Sequence, residues 1–267
     1  MSPPTSLVVD VKTGKILHAQ NANTRIYPAS LTKLMTLYLT FESIESGRLS
    51  MNQKLKVSER AEKMKPCKLG LLKGESITLR DAILGVAIKS ANDASVVLAE
   101  TISKSEPKFA ALMTARARQL GMKDTQFKNA SGWHHPEQKT TPKDLAKLAI
   151  ALKRDFPKFY HIFSKTSFVF KDNVINGHNS VTANYDGAEG LKTGYTIPSG
   201  FNLITTASKK NKTLVGVVTG GATASSRDKK MVKLLDENFE KHQLPIKGKK
   251  YSKLTSNSYT KNKRKST

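Results

Sequence analysis

Two strand–turn–strand segments near the ends of this chain set what it can fold into. "SLVVDVKTGKILHAQN", from Ser6, places apolar, β-branched runs on either side of Thr13-Gly14. "NLITTASKKNKTLVGVV", from Asn202, repeats that arrangement far along the chain. Strands joined by so tight a turn pair antiparallel. Between the two segments the apolar spacing is mostly helical. Runs of strands and helices, rather than strict alternation, predict an α+β fold in which helices pack on an antiparallel sheet.

The helical stretches carry start and stop signals. Leu31, Leu34, Met35, Tyr38 and Phe41 recur at spacings of three and four, with Ser30 at the position of a helix cap. Thr78 caps a helix running to about Lys89, and a second resumes near Asn92 and ends about Ser103. "EPKFAALMTARARQLGM" is amphipathic and closed by Gly121, and "TPKDLAKLAIALKRDF" carries Pro142 in its first turn. "NASGWHHPEQKT" reads as a loop, "KTSFVFKDNVI" as strand, and "SSRDKKMVKLLDENFEKH" as a closing helix. The predicted domain is 1–245, followed by a lysine-rich tail, 246–267, expected to be disordered.

Charge is the unusual bulk property. Lys and Arg number 45 against 21 Asp and Glu, a net +24, which favours anionic surroundings. The tail holds eight of those cations and no acid, and the rest of the excess is dispersed as on a solvated surface. Cys67 is the only cysteine, so no internal disulfide and no cysteine metal cluster can form. No apolar run approaches the ~18 residues of a membrane span. "MSPPTSLVVD" has neither a basic start nor an apolar centre, so any export signal is expected to lie outside this sequence.

The chemistry starts at Ser30 and Lys33. Three residues apart on a helix, the two side chains share a face. A serine hydroxyl needs a base, and a lysine serves as one only when neutral, as burial or a second nearby cation can make it. A helix N-terminus adds backbone donors suited to an oxyanion. The spacing alone proves nothing, because it recurs at Ser105/Lys108, Ser226/Lys229 and Ser258/Lys261. The bland alternative is an N-cap and a snorkelling lysine.

Two further segments change the balance. Ser90-Ala91-Asn92 sets a hydroxyl and an amide at a break between apolar helices. Lys192-Thr193-Gly194 opens a strand-like run with a charge, a donor and a residue against which another backbone can lie. Ser-x-x-Lys, Ser-x-Asn and Lys-Thr-Gly in that order are the signature of β-lactamases and penicillin-binding proteins. An earlier copy, Lys12-Thr13-Gly14, falls between two strands and reads as turn chemistry.

"PASLTKLMTLYLTFE", "KSANDASVVLAE", "LMTARARQLGMKDTQFKNASG" and "YDGAEGLKTGYTIPSGFNLITTA" resemble the serine-type D-Ala-D-Ala carboxypeptidases, low-molecular-mass penicillin-binding proteins of peptidase family S11. The likeness runs from about residue 6 to about 240. It implies a β-lactamase/D,D-peptidase-like fold, a sheet with a mainly helical subdomain. It also implies hydrolysis of the terminal D-alanine from peptidoglycan stem peptides, acylation by β-lactam antibiotics, and no cofactor or metal.

In that reading Ser30 is the nucleophile, Lys33 the base, and Ser90 part of the proton network. Asn92, Lys192, Thr193 and Gly194 bind substrate, and the Ser30 and Tyr195 amides form an oxyanion hole. Arg227 matches a carboxylate-binding arginine of the family, and His178 falls where relatives carry a basic side chain. The implied location is the periplasm or the extracytoplasmic face of the bacterial inner membrane. The tail could touch anionic lipid there, and no nucleic-acid partner is expected. "HHPEQKTTPKD" departs from the family's aromatic-Ser-Thr pattern at one edge of the site.

Rival readings attach to other residues. His134 and His135 point apart and lack a third ligand, so a loop without metal is favoured. Trp133 either lines the cleft or packs its loop down. Cys67 has no evident activating neighbour and reads as passive. Asp93 reads as a helix-start acid. A class A β-lactamase would want a carboxylate such as Glu137 to activate water. A catalytically dead basic binding module would have no need of the full serine–lysine–asparagine set.

Overall fold

The computed structural model describes residues 2–240; the tail expected to be disordered, 246–267, lies outside them. β1 (Thr5–Asp10) and β2 (Ile16–Gln20) form the first hairpin. In its turn the Asp10 carboxylate accepts from the Thr13 amide and hydroxyl, and Gly14 takes φ +69°. The early Lys-Thr-Gly copy is therefore a turn. α1 (Lys33–Glu45) follows, then β3 (Lys54–Lys56), α2 (Glu59–Glu62), β4 (Ser76–Thr78) and α3 (Leu79–Leu84). The β3–β4 pair was not expected, because three-residue strands carry too little periodicity to be read.

Helix boundaries fall largely where the caps lie. Thr78 Oγ1 accepts from the Asp81 amide and starts α3, which widens into a π-helical turn over Gly85–Lys89. α4 (Asn92–Ser103) resumes after left-handed Ser90, at φ 65°. α5 (Glu106–Gln119) is capped by Ser105 and stopped before Gly121, at φ +75°. α6 (Pro142–Asp155) is capped by Thr141, and α7 (Pro157–Tyr160) follows it. β5 (Ser167–Phe170) and β6 (Asn173–Asn176) make a separate hairpin, and α8 (Ser180–Asn184) leads into the sheet.

The sheet is completed by β7 (Ala188–Thr196), β8 (Gly200–Lys209) and β9 (Lys212–Gly221), and α9 (Ala224–Glu240) closes the described chain. Strand order is β2-β1-β9-β8-β7, antiparallel throughout. β1 pairs with β9 in the register Leu7↔Val217 and Val9↔Val215, so the two ends of the chain share one sheet and the helical region is inserted between them. Residues on opposite sides of a strand serve different cores. Leu7 and Val9 face the large helical core, whereas Val8 meets Met231, Leu235 and Phe239 of α9.

Two expectations need correction. Ser30 does not cap a helix: it lies in a tight 3-10 turn, Ala29–Thr32, and regular α1 begins at Lys33. Its hydroxyl is turned toward the Lys33 amine instead of a backbone amide. Lys192-Thr193-Gly194 does not open its strand but lies in the second half of β7, which begins at Ala188.

α1 is apolar on nearly every face and is accordingly central. Leu34, Met35, Leu37 and Phe41 are fully buried, and Phe41 stacks on Phe159 at 4.9 Å. Asp93, in the first turn of α4, does more than start a helix. Its buried carboxylate accepts from the amides of Leu69, Gly70 and Leu71 at 2.9–3.1 Å, and so fixes the loop before β4. Asp93→Ala strands three amides without their acceptor and should cost about 2–4 kcal/mol of unfolding free energy. Chemical denaturation reads this, and a loss within experimental scatter would remove the clamp from the account.

Candidate active site

Three distant segments meet in a cavity of about 410 Å³. The turn before α1 contributes Ser30, the break before α4 contributes Ser90 and Asn92, and β7 contributes Thr193, Gly194 and Tyr195. Arg227 of α9 and His178 line one end of it. Lys33 and Lys192 stand behind the lining, at 0% and 2% exposure.

Lys33 is the centre of the arrangement. Its Nζ stands 3.0 Å from Ser30 Oγ, donates to Asn92 Oδ1 at 2.7 Å, and donates to the Ser131 carbonyl. Burial pushes its pKa well below the ordinary lysine value, and the charge of Lys192 pushes the same way; Cys67 and Asp93 oppose them. A neutral amine has two N–H bonds and one lone pair. Two acceptors, Asn92 Oδ1 and the Ser131 carbonyl, take the N–H bonds, and the lone pair is left facing the serine hydroxyl. That is the geometry of a general base on a nucleophile.

Steric contacts set Ser30 from two sides. A Cβ on Gly132, at φ +84°, would overlap the Ala29 carbonyl, and one on Gly194 would stand 3.0 Å from the Ser30 nitrogen. Only glycine at both positions lets the loop and the strand close on the serine backbone. Tyr195 follows Gly194 directly and lines the same cavity as Ser30. The Tyr195 ring lies outward against Phe201, at 4.3 Å.

The far end of the cavity is cationic. Burial holds Lys192 down to about 7, with Arg227 acting in the same direction and Cys67 opposing. Arg227 is 4% exposed and is oriented by Asp228 through Nε at 2.9 Å and by the Asn202 carbonyl through Nη1. His178 is exposed at its outer edge, but burial of the ring and the charges of Lys192, Arg227, Lys89 and Lys33 hold it at about 4. At neutral pH it is therefore a neutral imidazole.

Several participants had no sequence reading. Ser131 enters through its carbonyl. Glu106, fully buried, accepts from the Ala130 amide at 3.0 Å and pairs with Arg60, which fixes the segment ending in that carbonyl. Asn92 Nδ2 donates to the Lys65 and Pro66 carbonyls, so this amide braces a loop as well as the lysine. Cys67 follows in that loop, lines the cavity, and lies close enough to act on both amines, which its sequence neighbours gave no reason to expect. Trp133 lines the cleft, at 49% exposure. Glu137 does not; it pairs with Lys128 on the surface. His134 packs edge-on against Tyr27, at 4.8 Å.

Comparison with known proteins adds an independent line. The sequence model of the D-alanyl-D-alanine carboxypeptidase family, peptidase S11, matches residues 2–223. D-alanyl-D-alanine carboxypeptidase DacF of Bacillus subtilis is 34% identical over 90% of this chain and 62% of its own length. DacD of Salmonella typhimurium is 35% identical over 91% of this chain and 65% of its own. The chain thus spans just under two thirds of the length of these curated relatives. Among solved structures, penicillin binding protein 5 from Haemophilus influenzae superposes with TM-score 0.85, at 32% identity, over 88% of this chain and 70% of that one. Penicillin-binding protein D2 from Listeria monocytogenes, in its ampicillin-bound form, gives 0.81 at 29% identity, over 88% and 96%.

The electrostatics make a pH experiment decisive. Lys192 in its charged form lowers the Lys33 pKa, so removing that charge lets the Lys33 pKa rise. In Lys192→Gln the rising limb of the pH profile for Ser30 acylation should move to higher pH. A limb that stays in place would mean that Lys33 does not feel Lys192.

Proposed function

The chain belongs to the D-alanyl-D-alanine carboxypeptidase family, peptidase S11, and from that premise we propose that it is a serine D,D-carboxypeptidase acting on peptidoglycan stem peptides. The observation that carries the reading is the buried Lys33 amine, 3.0 Å from Ser30 Oγ with two acceptors for its N–H bonds.

In this reaction Ser30 Oγ attacks the carbonyl of the penultimate D-alanine while Lys33 takes the hydroxyl proton. The Ser30 and Tyr195 amides hold the oxyanion. The amide C–N bond then breaks, and the proton passes from Lys33, with Ser90 at hand, to the departing amine. D-alanine leaves, and water entering by the same base hydrolyses the ester. Thr193 and Arg227 meet the terminal carboxylate, Lys192 tunes the electrostatics from behind the lining, Gly194 keeps the strand close, and Asn92 holds the Lys33 amine. The same attack opens a β-lactam ring, in keeping with the ampicillin complex of the Listeria relative.

A class A β-lactamase reading is weaker. No carboxylate lines the cavity among the described residues, so a penicilloyl ester has no acidic base beside it and should persist. We place the enzyme in the cell-wall compartment, at the periplasmic or extracytoplasmic face of the inner membrane. No described helix is long and apolar enough to cross a membrane. The basic tail would add attraction to anionic lipid, about 1 kcal/mol per charge near the surface.

Incubation with diacetyl-L-Lys-D-Ala-D-Ala should release free D-alanine. In Ser30→Ala both that release and labelling by a fluorescent penicillin should fall to background with an unchanged circular dichroism spectrum. Labelling that survived would reject Ser30 as nucleophile, and labelling without D-alanine release in the wild type would reject the carboxypeptidase reading.

A further inference from the structure

The two acceptors that hold Lys33 lie far apart in sequence, yet their supports run back to one short segment. Asn92 Nδ2 donates to the Lys65 carbonyl at 3.0 Å and to the Pro66 carbonyl at 3.2 Å. Both amide protons are thereby committed, so Oδ1 faces the lysine and accepts from Nζ at 2.7 Å. The second acceptor, the Ser131 carbonyl, follows Ala130, whose amide donates to Glu106 Oε1 at 3.0 Å. The other oxygen of that carboxylate, Oε2, accepts from Arg60 Nε at 2.7 Å and again from Nη2. Arg60 belongs to α2, and Lys65 and Pro66 to the loop that leaves it. Residues 59–66 therefore end both chains of contact.

The segment is itself anchored. Ser58 Oγ caps α2 by accepting from the Ala61 amide at 3.1 Å, and Ala61 is fully buried where α2 packs on α4. Lys68 Nζ donates back to the Glu62 carbonyl, which closes the loop onto its own helix. The Arg60 side chain is 56% exposed and that of Glu106 only 1%. Removing the cation from a buried carboxylate is strongly unfavourable, so a surface guanidinium sets where Glu106 stands. Neither residue lines the catalytic cavity. Lys63, on the same helix, pairs with Glu59 at the surface instead.

We propose that residues 59–66 are the positioning element of the general base, with Arg60 and Glu106 as positioning residues for the reaction. The inference rests on the serine–lysine chemistry above. Arg60 fixes Glu106, Glu106 fixes the amide side of Ala130, and the Ser131 carbonyl beyond it aims one N–H of Lys33. The lone pair of the amine then meets Ser30 Oγ. Thr36 Oγ1 of α1 donates to the Ala130 carbonyl at 2.7 Å, so loss of Arg60 or Glu106 tilts this segment without freeing it. The proton transfer loses aim while the amine stays buried. Substrate binding is untouched, because Thr193 and Arg227 stand on β7 and α9.

The test measures kcat and KM for D-alanine release from diacetyl-L-Lys-D-Ala-D-Ala by the full chain. In Arg60→Ala kcat should fall roughly tenfold, as for a slightly misaimed catalytic group, with KM unchanged. Arg60→Lys keeps a donor for the single oxygen Oε2 and should recover most of that loss. Glu106→Gln should lose at least as much as Arg60→Ala, and the double variant no more than Glu106→Gln alone, since the two act in series. Lys63→Ala is the control on the same helix and should leave kcat as it was. An unchanged kcat in Arg60→Ala, an equal fall in Lys63→Ala, or a KM that rises as kcat falls overturns the positioning role. Should Glu106→Gln not fold, the three surface variants decide alone. Absence of D-alanine release in the wild type would instead overturn the reaction on which the inference rests.

Discussion

An uncharged amine in a dry place is the condition on which this molecule is organised. Lys33 is fully buried, and burial of a charged ammonium is costly enough to push its pKa well below the ordinary lysine value and so toward the neutral amine. That amine has two N–H bonds to satisfy, which Asn92 and the Ser131 carbonyl do. Each acceptor is itself held from elsewhere. Asn92 is tied to the loop carrying Lys65 and Pro66, and the segment ending at Ser131 is tied to buried Glu106. The base is thus set by a second layer of residues, of which Lys65 and Glu106 lie outside the cavity lining.

That requirement makes sense of the chain order. The sheet is closed by its two ends, β1 on β9, and the helical region is the insertion between them. Ser30 lies in the turn after the first hairpin and Lys192 in β7 beyond the helical insertion, and that turn packs directly against β7. Lys192 then does double work: its charge lowers the pKa of Lys33, while its own burial holds it near 7, so its charge is itself poised for loss just above neutrality.

Much of this could be read in the sequence, and the parts that could not have a common cause. Side-chain types at fixed spacings are visible, so the hairpins, the cap at Thr78, the proline at 142 and the three short motifs stood out. Backbone groups leave no such trace. The Ser131 carbonyl is an unremarkable loop residue on paper, and Glu106 looks like any first-turn acid on a helix. Asp228 escaped because its role depends on Arg227 folding back onto its neighbour. The 3-10 start of α1 and the π turn before Ser90 escaped because both are imposed by tertiary packing on stretches whose period is ordinary helix. The low pKa of His178 had no sequence signal, since it depends on burial of the ring and on the cations that the fold assembles around it.

The two glycines that close on Ser30 come from opposite partners, Gly132 from the helical part and Gly194 from the sheet. The reactive hydroxyl therefore belongs to the seam between two layers. Competence is a property of how those layers dock, and neither, cut free of the other, would carry half of it.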